Sequence, residues 1–141
     1  MIELIDADYQ HYQSEILSIR ETVFVREQHV PVELEVDELA PLSRHLLLFV
    51  NGQPVGTGRL TPAGHIGRLA VLKPFRNKGH GRHLMKQLEQ IAIETGLFSV
   101  KLAAQTQAIQ FYEQLGYLAY GDHFIDAGIT HRMMQKRLAG H

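Results

Sequence analysis

The sequence predicts a mixed α/β fold in which helices flank a twisted, mainly antiparallel sheet of about seven strands. Hydrophobic periodicity gives the element order β-α-β-β-β-α-β-α-β-β. The pair Asn51-Gly52 is a strong hairpin signal, and residues 66–95 read as a strand, a glycine-bearing turn and a helix. The chain has 141 residues, of which 45% are hydrophobic, so it fits one domain with a real core over residues 1–141.

The first part of the chain predicts a strand, a long helix and a loop. Residues 2–5 form a short apolar strand, and residues 9–27 carry apolar side chains at helical spacing. Pro31 ends that pattern, because proline has no amide hydrogen for a helix. Residues 32–43 have weak periodicity and contain four carboxylates, which predicts an acidic loop; these are Glu33, Glu35, Asp37 and Glu38.

The middle of the chain predicts three successive strands. Residues 45–50 are an uninterrupted apolar run, and Asn51-Gly52 turns it into a partner strand at residues 54–60. A Pro-Ala-Gly turn then leads into a strand at residues 66–72, which Pro74 closes.

The second half alternates helices and strands. An amphipathic helix is predicted at residues 79–95, with Gly96 where a C-terminal cap glycine belongs. A strand at 98–103 and a short helix at 106–115 follow, and Gly116 ends that helix. The last strands are predicted at residues 117–124 and 130–136. A βαβ unit therefore lies in the middle of the chain, between antiparallel hairpins at both ends.

Composition excludes several functional classes. The net charge of −1 disfavours a general nucleic-acid-binding protein, which would be more basic. The absence of cysteine excludes a disulfide framework, a thiolate nucleophile and a thiolate zinc site. The N-terminus has neither a basic region nor a long apolar run, so we predict no signal peptide and no membrane association, and we expect a cytoplasmic protein.

The most informative segment is residues 76–81, Arg-Asn-Lys-Gly-His-Gly, between a predicted strand and a predicted helix. Glycines leave backbone N–H groups uncovered, and the N-terminus of a helix attracts an anion. Arg76 and Lys78 add positive charge at the same place. The segment therefore predicts a phosphate-binding turn, although Gly79 and Gly81 alone would also fit an ordinary loop. A phosphate-loop NTPase is excluded because Gly-x-x-x-x-Gly-Lys-Ser/Thr is absent.

The nine histidines do not predict a metal site, because no His-Glu-x-x-His pattern or ligand-like cluster is present. We expect His80 to be accessible near the phosphate site and His83 to be solvated. The prediction is that the protein uses no metal.

The glycine segment together with residues 111–117, Phe-Tyr-Glu-Gln-Leu-Gly-Tyr, resembles the acyl-CoA-binding core of the GCN5-related N-acetyltransferase (GNAT) superfamily. The predicted element order looks like the GNAT fold over the whole chain. Residues 21–28, 37–39, 104–108 and 126–131 are further similar to the YjcF-like and ElaA-like branch. The resemblance implies an acyl-CoA N-acyltransferase fold with acetyl-CoA as cosubstrate.

The resemblance also implies how the cosubstrate is held. Its pyrophosphate would bind the backbone N–H groups of residues 77–82, and its pantetheine arm would lie along Leu69, Ala70 and Val71 like an extra strand. In the superfamily a bulge splays this strand from the following one and opens a wedge. A backbone N–H near Leu69 or Ala70 would stabilise the oxyanion. Gln105 matches a position that contacts pantetheine. The cofactor residues implied are Leu69, Ala70, Val71, Arg76, Asn77, Lys78, Gly79, His80, Gly81, Arg82, Gln105 and Tyr112.

Catalysis needs a proton for the departing thiolate and a base for the acceptor amine. The resemblance places Tyr112 at the general acid position, although Tyr112 could also simply pack like Phe111. Relatives often carry a base glutamate on the central strand, where this chain has Gly67. The alternative bases are Glu27, Glu35, His45 and His131; the two histidines carry imidazoles, which titrate near neutrality, but either could be structural.

These observations predict direct acetyl transfer from acetyl-CoA to a small-molecule or peptide amine, because no cysteine can carry an acyl-enzyme. The acidic segment containing Glu27, Glu35 and Asp37 would concentrate a cationic acceptor, or would simply be solvated. Two alternatives stay open: another acyl-CoA donor, or a non-catalytic acyl-CoA-binding domain, which Tyr112 disfavours and Gly67 favours. Dimers are common in the superfamily, so a homodimer is a further expectation.

Overall fold

The computed structural model describes residues 1–31 and 39–138. Seven strands form two antiparallel sheets. The first sheet has the order β1-β2-β3-β4, and its strands are Ile2–Ala7, Arg44–Val50, Gln53–Leu60 and Ile66–Val71. The second has the order β5-β7-β6, with β5 at Ser99–Gln105, β6 at Leu118–Asp126 and β7 at Ile129–Arg137. The predicted α/β fold with about seven strands is confirmed, and the sheet is divided in two.

Three α-helices within the described residues accompany the sheets, together with one π-helical and three short 3-10 segments, the latter at Ala40–Leu42, Lys73–Phe75 and Thr106–Ala108. Helix α1 spans Tyr9–Arg20 and continues directly into a π-helical segment, Glu21–Glu27. Helix α2 spans His80–Glu94, and α3 spans Ile109–Gln114. The single helix predicted at residues 9–27 is therefore correct in extent, but its last seven residues have the wider π form. Such segments occur often at functional sites.

The hairpin and helix-end glycines behave as their local chemistry requires. Asn51 and Gly52 adopt φ values of 50° and 83°, as a two-residue hairpin turn demands. Gly96 and Gly116 end their helices with φ values of 89° and 98°, a conformation that side chains with a β-carbon rarely adopt.

The two faces of the first sheet bury different helices. Leu46 and Leu48 of β2 pack with Leu84 and Leu88 of α2 in the main core. Leu47, which points to the other face, packs with the buried face of α1 and its π extension, which consists of Ile16, Ile19 and Val23. Each such buried side chain stabilises the fold by roughly 1.5–3 kcal/mol. Both faces of the first sheet are thus covered by helices. Because β4 is the edge strand of this sheet, its accessible part is the row of backbone groups along that edge.

Candidate functional site

The strands β4 and β5 run in parallel but separate into a wedge. They belong to different sheets, and one isolated bridge joins them, His65 to Lys101, near their N-terminal ends. Because β4 is the edge strand of its sheet, the backbone groups on its outer side face the wedge. The opening expected from the family resemblance is therefore present. Its two arms end at Val71 of β4 and Gln105 of β5.

A bulge lies in the middle of the β4 arm. Thr57 of β3 pairs with Ala70, whereas Arg59 pairs with Gly67, so one residue of β3 faces two residues of β4. Arg68, within the bulge, has a φ of 51°. A bulge removes backbone groups from the ladder, which leaves amides near Leu69 and Ala70 for another partner.

The side chains of the β4 arm are used for packing. Leu69 and Val71 pack against the main core, and Ala70 belongs to the core beneath α1. The predicted contact of these three residues with a cofactor therefore falls on their main chain.

The N-terminus of α2 is open and uncapped. Its N-cap residue, Gly79, has a φ of 84° and contributes no side-chain cap. The first intrahelical hydrogen bond of this turn runs from the His83 amide to the Gly79 carbonyl at 3.0 Å, so the N–H groups of residues 80–82 have no partner within the helix. Asn77, Lys78 and Arg82 are exposed around this turn. Uncapped amides with nearby cations form an anion site.

Two residues of this turn differ from simple expectation. Gly81 does not have a positive φ, and a β-carbon there would make an ordinary van der Waals contact, 3.4 Å from the Phe111 ring, so neither the backbone nor the packing requires glycine at this position. His80 is only 6% exposed, so the expected accessibility of this side chain is wrong, while its backbone N–H stays at the helix end. His83 is exposed, as expected.

Arg76 and Glu27 bind each other across the open end of the wedge. The Arg76 guanidinium donates to both Glu27 carboxylate oxygens, at 2.5 and 2.7 Å, and its Nε donates to the Val71 carbonyl at 2.8 Å. The hydrogen bond from Arg76 lowers the pKa of Glu27, and the pKa of Arg76 is raised by the same contact. A carboxylate held in this way is a poor base, because the ion pair stabilises its deprotonated form.

The β5 arm ends in a chain of amide side chains. The Gln105 side chain donates from Nε2 to the side-chain oxygen Oε1 of Gln28 at 2.8 Å, and its own Oε1 accepts from Gln107 Nε2 at 2.5 Å. The predicted pantetheine contact, Gln105, is therefore half-buried and already oriented by a neighbour from the first helix. Gln28 was not singled out by the sequence, since nothing local distinguishes it from any polar residue at a helix end.

Tyr112 is half-buried on α3, next to the α2 turn. Its ring packs edge-on against Phe111, with centroids 5.0 Å apart, and Phe111 is the ring that meets Gly81. Burial raises the pKa of Tyr112 to about 12, so the phenol keeps its proton at physiological pH. No hydrogen bond from its hydroxyl is found within residues 1–31 and 39–138. The group is a proton donor without a structural partner there.

Tyr117 holds the turn after Tyr112 in place. Its amide donates to the Tyr112 carbonyl at 3.1 Å, and its buried hydroxyl donates to Glu89 at 2.7 Å. Lys136 donates to the other Glu89 oxygen at 2.9 Å. Burial and the neighbouring carboxylate raise the pKa of Tyr117.

These two tyrosines predict a loss of stability in alkali. Between the ordinary pKa of 10.0 and the folded value of about 12 for Tyr112, the unfolded chain ionises while the folded chain stays protonated. The unfolded state then binds fewer protons, so the free energy of unfolding falls as pH rises above 10, by on the order of 1–3 kcal/mol per group. Urea titrations at pH 9 and 11 measure this. In Tyr117→Phe the free energy of unfolding should decrease less between pH 9 and pH 11 than in the wild type. An equal decrease in both proteins would contradict the assignment of this effect to Tyr117.

The two candidate histidine bases have different surroundings. His45 is 1% exposed, stacks on Tyr9 and has Nε2 at 2.6 Å from the Ala40 carbonyl, which favours a structural role. His131 is half-buried, with Nδ1 at 2.7 Å from the Ile129 carbonyl. A carbonyl oxygen only accepts, so Nδ1 carries the proton and Nε2 is left able to take another.

His131 also lies beside the wedge. It pairs directly with Gln105 in the ladder between β5 and β7, so the two side chains share one face of the sheet. Gln105 reaches Gln28 from that face. The structure thus brings His131 together with the β5 arm, whereas His45 lies on β2, inside the first sheet.

Gly67, at the position of the relatives' glutamate, faces Arg59. A β-carbon at position 67 would lie 3.9 Å from the Arg59 Nε. Arg59 was not singled out from the sequence, because its position opposite Gly67 depends on the strand register. The predicted acceptor residues Glu35 and Asp37, with Glu33 and Glu38, lie outside the described residues.

Residues 1–31 and 39–138 contain no group of three or more His, Cys, Asp or Glu side chains arranged to hold a metal ion. Over the same residues, no helix has the length and apolar character needed to cross a membrane.

Comparison with known proteins gives one consistent result. A family model described as an acetyltransferase (GNAT) domain matches residues 5–138. The YyaT protein of Bacillus subtilis is 43% identical over 131 residues, covering 89% of this chain and 88% of the relative. The N-acetyltransferase named YjcF from the same organism is 43% identical over 122 residues, covering 84% and 87%. The crystal structure of Escherichia coli ElaA superimposes with a TM-score of 0.86 at 27% identity, covering 97% of this chain and 100% of ElaA.

Proposed function

The chain belongs to the GNAT acetyltransferase domain family, and from that premise we propose that it transfers an acetyl group from acetyl-CoA directly to a primary amine of a small molecule or peptide. Membership makes the protein an acyl-CoA-dependent acyltransferase. The acetyl donor and the amine acceptor are the proposal, and the naming of YjcF as an N-acetyltransferase supports them.

One observation carries the proposal: the exposed edge of β4, the uncapped N-terminus of α2 and the Tyr112 side chain lie around one wedge, and the Tyr112 hydroxyl has no hydrogen-bond partner among residues 1–31 and 39–138. A pantetheine arm has amides that can pair with a strand edge, and a diphosphate suits uncapped helix amides. The residues present therefore fit an acyl-CoA. The amides of residues 80–82 would hold its diphosphate, and the main chain of Leu69, Ala70 and Val71 would align its arm.

The chemistry requires two proton transfers by this chain. The acceptor ammonium would lose one proton to the base, and the neutral amine would then form the C–N bond at the thioester carbonyl. The nitrogen would release its second proton to solvent as the C–S bond breaks. Backbone amides near Leu69 and Ala70, released by the bulge, stabilise the oxyanion. Tyr112 gives its proton to the departing thiolate and regains one from solvent. No cysteine is present to carry the acetyl group, so the transfer is direct.

We assign the base to His131 in preference to His45 and Glu27. Its Nδ1–H is fixed on the Ile129 carbonyl, which leaves Nε2 to accept the proton. Glu27 is engaged by Arg76, and His45 lies in the core.

His131→Gln should therefore lower kcat on the order of 100-fold near neutral pH, because a base of this kind contributes about 100- to 10,000-fold. The affinity for acetyl-CoA should stay the same, since His131 lies on the β7 side of the wedge. The matched control is His83→Gln, an exposed histidine of α2. Equal kcat values in the two variants would remove the base role from His131.

The proposed function is tested by following free CoA thiol after mixing the protein with acetyl-CoA and a panel of amines, polyamines, amino sugars and peptides. The chain contains no cysteine, so a thiol reagent reports CoA alone. Amine-dependent release supports the proposal. Tight acetyl-CoA binding without release from any amine would favour the non-catalytic alternative, to which Gly67 points. Faster release from a longer acyl-CoA would identify a different donor.

A further inference from the structure

Two adjacent residues at the end of the π-helical segment reach opposite arms of the wedge. Glu27 binds Arg76, which in turn binds the last carbonyl of β4, at Val71. Gln28 binds Gln105, the last residue of β5. The two arms are thus joined by two sets of side-chain hydrogen bonds that meet at the peptide bond between Glu27 and Gln28. This link lies at the end where no strand pairing between the arms is found among residues 1–31 and 39–138. We call Glu27 and Gln28 the tie.

The backbone of the tie is itself fixed. The amide of Gln28 donates to the Val23 carbonyl at 3.1 Å, and that of Val30 donates to Phe24 at 2.8 Å. Val23 is buried in the core beneath α1. The wide π turn places residues 27 and 28 side by side at the helix end, facing different arms. A helix end anchored in this way can fix the distance between the ends of β4 and β5.

Arg76 is committed to this arrangement. Three of its five N–H donors are used, one on Val71 and two on Glu27 in the bidentate geometry that arginine favours. Arg76 therefore has only two N–H donors left for direct contact with a bound anion. The exposed cations around the α2 turn, Lys78 and Arg82, are the ones left to meet a phosphate.

We propose that Glu27 and Gln28 are positioning residues that hold the ends of β4 and β5 at a fixed separation and so shape the wedge for the pantetheine arm. The inference rests on the proposed function for the identity of the ligand. It assigns Arg76 and Glu27 to the support of the site, and it adds Gln28. Preorganisation of this kind matters because small displacements of a bound reactant cost much of its rate and affinity.

The direction in which one substitution changes the affinity for acetyl-CoA separates the effect of the tie from the effect of charge alone. Glu27→Gln removes a negative charge close to the anion-binding turn, so charge alone predicts tighter binding of acetyl-CoA. Loss of the tie predicts weaker binding, by roughly tenfold, the usual scale of coupling between contacting residues. Calorimetry with acetyl-CoA measures the difference. The matched control is Glu21→Gln, which breaks an exposed pair with Arg26 in the same segment and touches neither arm. Tighter binding in Glu27→Gln would overturn the proposal.

A double-mutant cycle tests the role of Arg76. If Arg76 acts through Glu27, Arg76→Gln and Glu27→Gln together should weaken acetyl-CoA binding no more than the worse single variant. If Arg76 binds the diphosphate directly, the two effects add, which would contradict the proposal. Each variant is checked for an unchanged Tm, so that a general loss of folding is not mistaken for loss of the tie.

The separation of the arms can be measured without any ligand. The chain has no cysteine, so spin labels at Lys78→Cys and Thr106→Cys, both exposed positions beside the arms, give one distance distribution. Gln28→Ala should broaden or shift this distribution, and Glu21→Gln should not. Unchanged distances in Gln28→Ala would overturn the tie. If the wild-type protein bound no acyl-CoA, the proposed function would fail while this distance measurement still decided the tie.

Discussion

Replacement of Tyr112 by Phe should reduce turnover on the order of 100- to 10,000-fold, the usual contribution of a general acid. Burial raises the pKa of the Tyr112 phenol to about 12, so the group is in its protonated form at physiological pH, as a general acid must be. Phenylalanine keeps the edge-on contacts with Phe111 and Tyr117 and removes the hydroxyl alone. Since that hydroxyl has no hydrogen-bond partner among residues 1–31 and 39–138, folding should be unaffected.

The measurement is single-turnover CoA release, which isolates chemistry from product release. The affinity for acetyl-CoA should change little, so the loss falls on kcat. Tyr120→Phe is the matched control, because Tyr120 lies on β6 and is more exposed. Wild-type rates in Tyr112→Phe, with the chemical step rate-limiting, would eliminate the general acid role.

Structural elements that are determined by residues adjacent in the sequence could be predicted from it. The hairpin at Asn51-Gly52 and the glycine end of α2 at Gly96 rest on backbone conformations that these residues favour. All seven predicted strands begin and end within two residues of their observed positions; β1 extends two residues further than predicted, to Ala7, because its ladder with β2 continues to His45. That pairing spans distant parts of the chain, so no local pattern records it.

The division of the sheet was not derivable from periodicity. β4 and β5 have the composition of adjacent central strands, and the βαβ unit between them suggested pairing. Their separation depends on the bulge at Arg68, whose φ of 51° is unusual for a residue with a long side chain. Only the family resemblance implied a wedge there. The π form of residues 21–27 was equally hidden, because apolar spacing hardly distinguishes π from α turns over so short a segment.

The candidate site shows the same contrast between local and long-range information. The turn at residues 76–81 and Tyr112 lie in contiguous motifs, and both fall beside the wedge. The pairing of Glu27 with Arg76 joins residues that are 49 positions apart, and Gln28 meets Gln105 across 77 positions. Each of these side chains alone resembles any surface polar residue. Their roles come from the tertiary contact, as does the burial of His80.

A negative charge in the α2 turn should abolish most of the affinity for acetyl-CoA, and Gly81→Asp introduces it. Gly81 has an ordinary backbone conformation, and a β-carbon there meets only the Phe111 ring at 3.4 Å, so the variant should fold. A carboxylate in the first turn even stabilises a helix, by about 0.3–1 kcal/mol, because it takes up the positive end of the helix dipole. It occupies the same amides that the diphosphate needs, and two unit charges about 4 Å apart near a protein surface repel by about 4 kcal/mol. We therefore expect an unchanged or higher Tm together with a loss of affinity of about 100-fold or more. Gly81→Asn is the control of equal size without the charge, and it should lose far less. If calorimetry found the same affinity in the Asp and Asn variants, the diphosphate would have to bind elsewhere than at the start of α2.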